Sequence, residues 1–240
     1  MNIYREQLRL RHHQCGADCK LKLKSIFDIF QDAAADHADI LGCGMENMLE
    51  NRTLWVLSRQ KIEIIRLPEV KENVTIETYP CGVDRLFALR EYRLYDKDNQ
   101  LIVRGTAAWL VLDSDTMRPK RLSGETLNIL PDNSGLPVSF TSLGKISSCS
   151  GNAVFDLKVR PSDIDMNRHL NNANYAAMVQ DAVYSCNAVM EDISSVEINY
   201  LHSGQIDDQI SVLLCAEGKN ISVSGSCAEK PAFTASVTLK

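Results

Sequence analysis

Near its C-terminal third the chain sets an aspartate, an asparagine and a histidine at alternate positions, Asp165, Asn167 and His169, followed by Asn171 and Asn172. On an extended backbone alternate side chains leave on the same side, so the spacing predicts that the three converge. Asn is a favoured helix N-cap. A stripe of Tyr175, Val179, Ala182, Cys186 and Val189 follows at three- and four-residue steps, so an amphipathic helix is expected to start at Asn171 or Asn172. Unpaired amides and the helix dipole at such a start favour developing negative charge. A carboxylate can attack a carbonyl or activate a water that does. The asparagine amide and imidazole can orient it, and helix-end amides can hold the oxyanion. A thiol, with a pKa of about 8.5, leaves without a strong general acid, so a thioester is the acyl compound this set suits.

Blander readings exist for the same residues. Asp, Asn and His together also make a polar turn that caps a helix. Asp163-x-Asp165-x-Asn167 imitates the start of a calcium loop, but Arg168 and Asn174 stand where that loop needs Gly and Glu, so calcium is rejected. His12, His13, Cys15 and Cys19 are potential metal ligands without paired spacing or a second half, and no metal or cofactor is called for. Cys186 and Cys215 fall on apolar patterns and read as small core residues.

Something must hold the triplet. A first amphipathic helix is marked by Ile26, Ile29, Phe30, Ala33, His37 and Ile40. Strand-like runs follow at 60–66, 74–79, 86–95 and 101–112, with Asp98-Asn99 as turn chemistry between the last two. After the second helix come runs at 196–200, 210–216, 221–227 and 233–239. The order is a helix and four strands, twice. Weak internal repeats agree: Gln31-Asp32-Ala33 recurs as Gln180-Asp181-Ala182, 149 residues on, and Ile62-Glu63-Ile64 as Val196-Glu197-Ile198. By that offset Gly16, Asp18 and Lys20 occupy the places of Asp165, Asn167 and His169, so the first half is expected to bind without reacting. The Ser-, Gly-, Pro- and Asn-rich stretch 123–150 reads as a linker between units 1–122 and 151–240. The expected fold is α+β, a double hot-dog: two helix-plus-antiparallel-sheet units that join sheet edges and leave clefts at the seam.

The 240 residues carry a net charge of −5, which argues against a nucleic-acid binder. No apolar run is long enough to span a membrane, and residues 1–11 lack the apolar core of a signal peptide. Eight scattered cysteines read as reduced thiols, and the expected location is cytoplasmic. Residues 1–24 hold six basic against two acidic residues, a local net of +4 that suits either a specific acidic partner or an ordinary solvated face.

The motif Asp165-x-Asn167-x-His169-x-Asn171-Asn172-x-x-Tyr175 resembles that of acyl–acyl carrier protein thioesterases, plant and bacterial enzymes that end fatty-acid synthesis. Gln31-Asp32-Ala33-Ala34, His37-Ala38, Leu41-Gly42, Trp55-Val56-Leu57-Ser58, Arg66-Leu67-Pro68, and Trp109 followed by Asp113 resemble that family in order and spacing. The resemblance implies hydrolysis of long-chain acyl–acyl carrier protein, with Asp165, Asn167 and His169 catalytic and Asn172 accessory. The related hydroxybenzoyl-CoA thioesterases resemble the segment too, and there the Asp matching Asp165 is the attacking carboxylate. Trp55 and Tyr175 are candidates for the acyl pocket. Lys20, Lys22 and Lys24 are candidates for docking a carrier protein whose phosphopantetheine bears the acyl chain. The chain departs from the family at one place. Where an acidic residue is usual, Tyr200-Leu201-His202-Ser203-Gly204 offers Ser203, with His202 and Asp207 as substitutes if the register shifts. An acyl-CoA thioesterase and a non-catalytic acyl binder remain alternatives, and a homodimer is left open.

Overall fold

The computed structural model describes residues 2–122 and 129–240. Each half opens with a strand, passes through a short 3-10 turn, buries one helix, and lays down four antiparallel strands. In the first half these are β1 (Tyr4–Arg9), α1 (Leu23–Leu41), β2 (Thr53–Ile64), β3 (Asn73–Asp84), β4 (Phe87–Tyr95) and β5 (Leu101–Asp113), with a short α2 (Met45–Glu50) and β6 (Pro119–Lys120) added. In the second they are β7 (Asn152–Lys158), α3 (Asn172–Tyr184), β8 (Ile193–Tyr200), β9 (Gln209–Glu217), β10 (Asn220–Cys227) and β11 (Lys230–Leu239).

All strands belong to one antiparallel sheet, ordered β1-β3-β4-β5-β2-β8-β11-β10-β9-β7, with β6 beside β5. The two halves meet where β2 pairs with β8. Ile62 lies opposite Val196 and Lys61 opposite Glu197, with an ion pair of 3.3 Å between the latter two. The order reads alike from either edge, as an approximate two-fold axis through the seam requires. This is the double hot-dog.

The helices cover one face. Ile26, Phe27, Ile29, Phe30, Ala33 and Ala34 of α1 are buried, and Phe30 stacks on Tyr92 of β4 with centroids 4.7 Å apart. Opposite Tyr92, Gly105 admits that contact, since a Cβ there would stand 2.6 Å from the Lys61 carbonyl oxygen and 3.3 Å from the Phe30 ring. His37 is buried on the predicted stripe, whereas Ile40 at its end is exposed. Helix α3 begins as expected: Asn171 is the N-cap, its side chain accepting from the Ala173 N–H at 2.8 Å. It ends early. The helix stops at Tyr184 and Asn187 takes a left-handed φ of 60°, so Cys186 and Val189 lie beyond it. Cys186 and Cys215 are half-buried rather than core, and all eight cysteines are free thiols.

The edge strands β1 and β7 and the short α2 were not expected. In β1 half-buried and exposed residues alternate strictly, the period of a strand with one wetted face. Its charged residues hide the pattern, yet charge on an edge strand discourages pairing with other chains.

The segment read as a linker is a strap. Residues 123–128 of it lie outside the described residues. The rest crosses the sheet on the face away from the helices, since Glu91 and Asn199 alternate with helix-facing Tyr92 and Tyr200. Tyr79 of β3 donates to the Pro137 carbonyl at 2.6 Å, and Glu91 of β4 accepts from the Ser139 N–H at 2.9 Å. The Phe140 N–H donates to Thr106 of β5 at 3.1 Å, and Arg59 of β2 donates to the Leu143 carbonyl. Asn199 of β8 accepts from the Ile146 N–H at 2.8 Å and donates to the Gly144 carbonyl at 3.2 Å. Thr234 of β11 donates to the Ile146 carbonyl at 3.0 Å, and Cys149 reaches Ser224 of β10 at 3.1 Å. Asn199 is buried on β8, one of the two strands that form the seam. Asn199→Ala would strand an N–H and a carbonyl of the strap, so a loss of about 1–3 kcal/mol is expected in denaturant unfolding. An unchanged midpoint would show that the strap is held elsewhere.

Candidate active site

The triplet does not lie on an extended strand. Residues 160–171 fold into a compact loop in which the Asp165 N–H donates to the His169 carbonyl at 2.9 Å and the Arg168 N–H to the Asp165 carbonyl at 3.0 Å. Ile164 bridges Leu170, and Arg168 takes a left-handed φ of 63° to close the turn. Asp165 itself organises the loop: its Oδ1 accepts from the Asn167 N–H at 2.8 Å and from the His169 N–H at 3.4 Å. This is an Asx turn, the local use of a short carboxylate that competes with strand geometry. In place of a strand there is one five-residue turn, in which the backbone amides of Asn167 and His169, rather than their side chains, meet the Asp165 carboxylate, and Oδ2 of Asp165 makes no hydrogen bond among the described residues. The turn runs into α3 two residues later.

A second segment is pinned beside it. The Leu170 N–H donates to the Gly204 carbonyl at 2.9 Å. Tyr175, one turn into α3, accepts from the Gly204 N–H at 3.0 Å and donates to the His202 carbonyl at 3.2 Å. Ser203 sits between these anchors and is exposed. Its two substitutes are engaged elsewhere: the His202 ring meets the Pro231 carbonyl at 2.7 Å, and Asp207 pairs with Lys158 at 2.7 Å. A groove of about 430 Å³, lined by Lys145, Leu201, His202 and Pro231 among others, opens alongside. Tyr175, read as an acyl-pocket residue, is instead a buried strut, and burial pushes its phenol up to about 12. Its OH holds 202–204 against the loop.

The first half contains the same loop without the carboxylate. Gly16 N–H to Lys20 carbonyl at 2.8 Å, Cys19 N–H to Gly16 carbonyl at 3.0 Å, the Cys15–Leu21 bridge and a φ of 63° at Cys19 repeat the second loop at the 149-residue offset. Leu21 donates to the Pro68 carbonyl at 3.0 Å as Leu170 does to Gly204, which sets Leu67 where Ser203 stands. Glycine replaces the carboxylate and leucine the serine. The copy is also tied more tightly, through the Val70 N–H to the Cys19 carbonyl at 2.8 Å and a Lys20–Glu69 bridge.

The remaining sequence candidates are scattered. Trp55 is half-buried in a satellite cluster with Cys43, Met48 and Val111, and its indole N–H donates to the Cys43 carbonyl at 3.0 Å. Lys20 pairs with Glu191, and Lys24 with Asp28 at 3.3 Å, so two of the three docking lysines already have acidic partners. Among the described residues no cluster of three or more His, Cys, Asp or Glu side chains is arranged to hold a metal.

Family models extend the motif to the chain. The acyl-ACP thioesterase N-terminal domain matches residues 1–130 and the C-terminal domain residues 147–228. The chain belongs to the acyl-ACP thioesterase family. It is 25% identical over 238 residues to an oleoyl-acyl carrier protein thioesterase of Arabidopsis thaliana, covering 92% of this chain and 65% of that protein. It is 24% identical over 231 residues to the corresponding enzyme of Coriandrum sativum, covering 89% of this chain and 63% of the relative. The chain thus spans slightly under two thirds of these relatives' length. Among solved structures, an acyl-ACP thioesterase from Bacteroides thetaiotaomicron shares its fold at a TM-score of 0.88 and 22% identity, covering 100% of this chain and 98% of the other. The 12:0-ACP thioesterase from Umbellularia californica does so at 0.85 and 20%, covering 100% and 98%.

Two outcomes are expected in single-turnover thioester assays. Asp165→Asn, whose amide oxygen can keep the Asx turn, should lower the rate by about 10² to 10⁴ with folding unchanged. A variant that keeps a tenth of the wild-type rate would remove Asp165 from the chemistry. Ser203→Ala should cost about fivefold, the effect of one positioning hydrogen bond, and far less than His169→Ala. The reverse ranking would make Ser203 a direct participant.

Proposed function

We propose that this protein is a thioester hydrolase acting on long-chain acyl–acyl carrier protein, releasing the free fatty acid and the holo-carrier and so ending chain elongation. The observation that carries the reading is the Asx turn. It presents an uncommitted carboxylate oxygen, with the backbone amides of Asn167 and His169 on its other oxygen, just before the N-terminus of α3. The Asp165 carboxylate either attacks the thioester carbonyl carbon or takes a proton from a water that attacks it. The C–S bond breaks, the electron pair leaves on sulfur, and the thiolate collects a proton. In the direct route water then hydrolyses the acyl-aspartyl anhydride. Amides at the helix start offset the charge on the carbonyl oxygen meanwhile.

The first half, with Gly16 in place of the carboxylate, serves as the acyl-binding unit in this proposal. Lys22 supports the docking of an acidic carrier, because it has no ion pair among the described residues while Lys20 and Lys24 do. The free cysteines suit a reducing compartment, and the cytoplasm is proposed.

The test is hydrolysis of matched acyl–carrier protein and acyl-CoA substrates of varied chain length. Faster turnover of the carrier-linked series, peaking at long chains, is expected. Turnover of acyl-CoA alone would replace the substrate assignment, and binding without turnover would leave an acyl binder. Steering by charge weakens with ionic strength, so KM for the carrier-linked substrate should rise with salt, and Lys22→Glu should raise it several-fold with kcat nearly constant. A salt-independent KM with an unaffected variant would move docking to another face.

A further inference from the structure

The repeated Gln-Asp-Ala triplets sit at corresponding places in two helices that pack on each other, and each glutamine reaches the other helix's first residue. Gln180 of α3 accepts from the backbone N–H of Leu23, the first residue of α1, at 2.9 Å. Gln31 of α1 accepts from Asn172, the first residue of α3, at 3.5 Å. Leu23 and Asn172 are 149 residues apart, as are Gln31 and Gln180, so these are one contact and its two-fold image.

The image is imperfect in one respect. At the start of α1, in the half without the triplet, Gln180 takes the backbone N–H of Leu23. At the start of α3, in the half with the triplet, Gln31 takes the Asn172 side-chain amide instead, and the Asn172 backbone N–H has no acceptor among the described residues. That N–H is the first of α3 and lies three residues past His169. Asparagine side chains readily bond to nearby backbone, so an untethered Asn172 could fold over its own helix start. The contact is long for a hydrogen bond, as contacts in unliganded reactive sites commonly are.

We infer that Gln31 is a positioning residue for the reaction carried by the other half of the chain. It holds the Asn172 side chain toward α1 and so leaves the first amide of α3 open to the carbonyl oxygen. The inference rests on the hydrolase reading above. It also gives the acyl-binding half a part in the chemical step. Gln31 makes no hydrogen bond to Asp165 or His169 among the described residues.

The symmetry supplies the control. Gln31→Leu and Gln180→Leu each delete one tie between the helices, so a merely structural role would move both alike. Gln31→Leu is expected to lower kcat about fivefold to tenfold with KM within twofold, whereas Gln180→Leu leaves kcat within twofold at a similar loss of Tm. In an Asn172→Ala background, Gln31→Leu should cost nothing further, because its effect passes through that side chain. Equal losses of kcat in the two single variants, or an undiminished loss in the Asn172→Ala background, would overturn the inference. NMR of the side-chain amide of Asn172 decides the geometry without turnover. Its resonances should shift in Gln31→Leu and stay in Gln180→Leu, and no shift in the former would overturn the inference. A wild type that hydrolyses no thioester would instead overturn the reading on which it rests.

Discussion

The antiparallel pairing of β2 with β8 is the contact on which the rest depends. Either half alone would be a small sheet under one long helix with β2 or β8 left as an open edge, and such an edge is a template for association. Joined, the strands place Ile62 against Val196 in the core and bring α1 and α3 side by side. Every feature of the candidate site then follows from where α3 begins. The Asx turn abuts its N-cap, Tyr175 reaches from its first turn to residues 202–204, and Asn172 meets the neighbouring helix.

The strap makes that pairing hard to undo. Its hydrogen bonds visit β3, β4, β5, β2, β8, β11 and β10 in turn, satisfying polar side chains of the sheet face that the helices leave uncovered. Glu91 illustrates the need. Burial pushes its carboxyl up, while Ser139 and Thr106 draw it back by hydrogen bonding. A face carrying such groups cannot be covered by an apolar layer without leaving them unpaired. A polar, Gly- and Pro-rich segment lying across the strands meets the requirement, and its composition then resembles that of a loose tether.

That resemblance is why the strap was not read from the sequence, where 123–150 looks like a linker. The helix–four-strand order and the repeat were legible, because buried faces impose periods of 3.6 and 2 on apolar residues. The edge strands were not, since their exposed faces carry charge. At the site, Asp165, Asn167 and His169 stand out as candidates by their types and spacing, but their geometry is not legible there. Alternation suggests a strand until the carboxylate's preference for its own backbone amides is counted. Tyr175 was visible as part of a motif, yet its role as a strut depends on a carbonyl 27 residues away.

The two loops at 11–22 and 160–171 share a backbone and differ in what they carry. Had the halves been separate identical chains, each substitution would appear twice, and a symmetric pair could not keep a carboxylate in one loop and glycine in the other. Holding both copies on one polypeptide lifts that constraint. It also keeps the partner at a fixed high effective concentration. The tightly bridged copy can therefore be selected for rigidity and the open one for the reaction proposed above, a division of labour that no homodimer of the same fold can adopt.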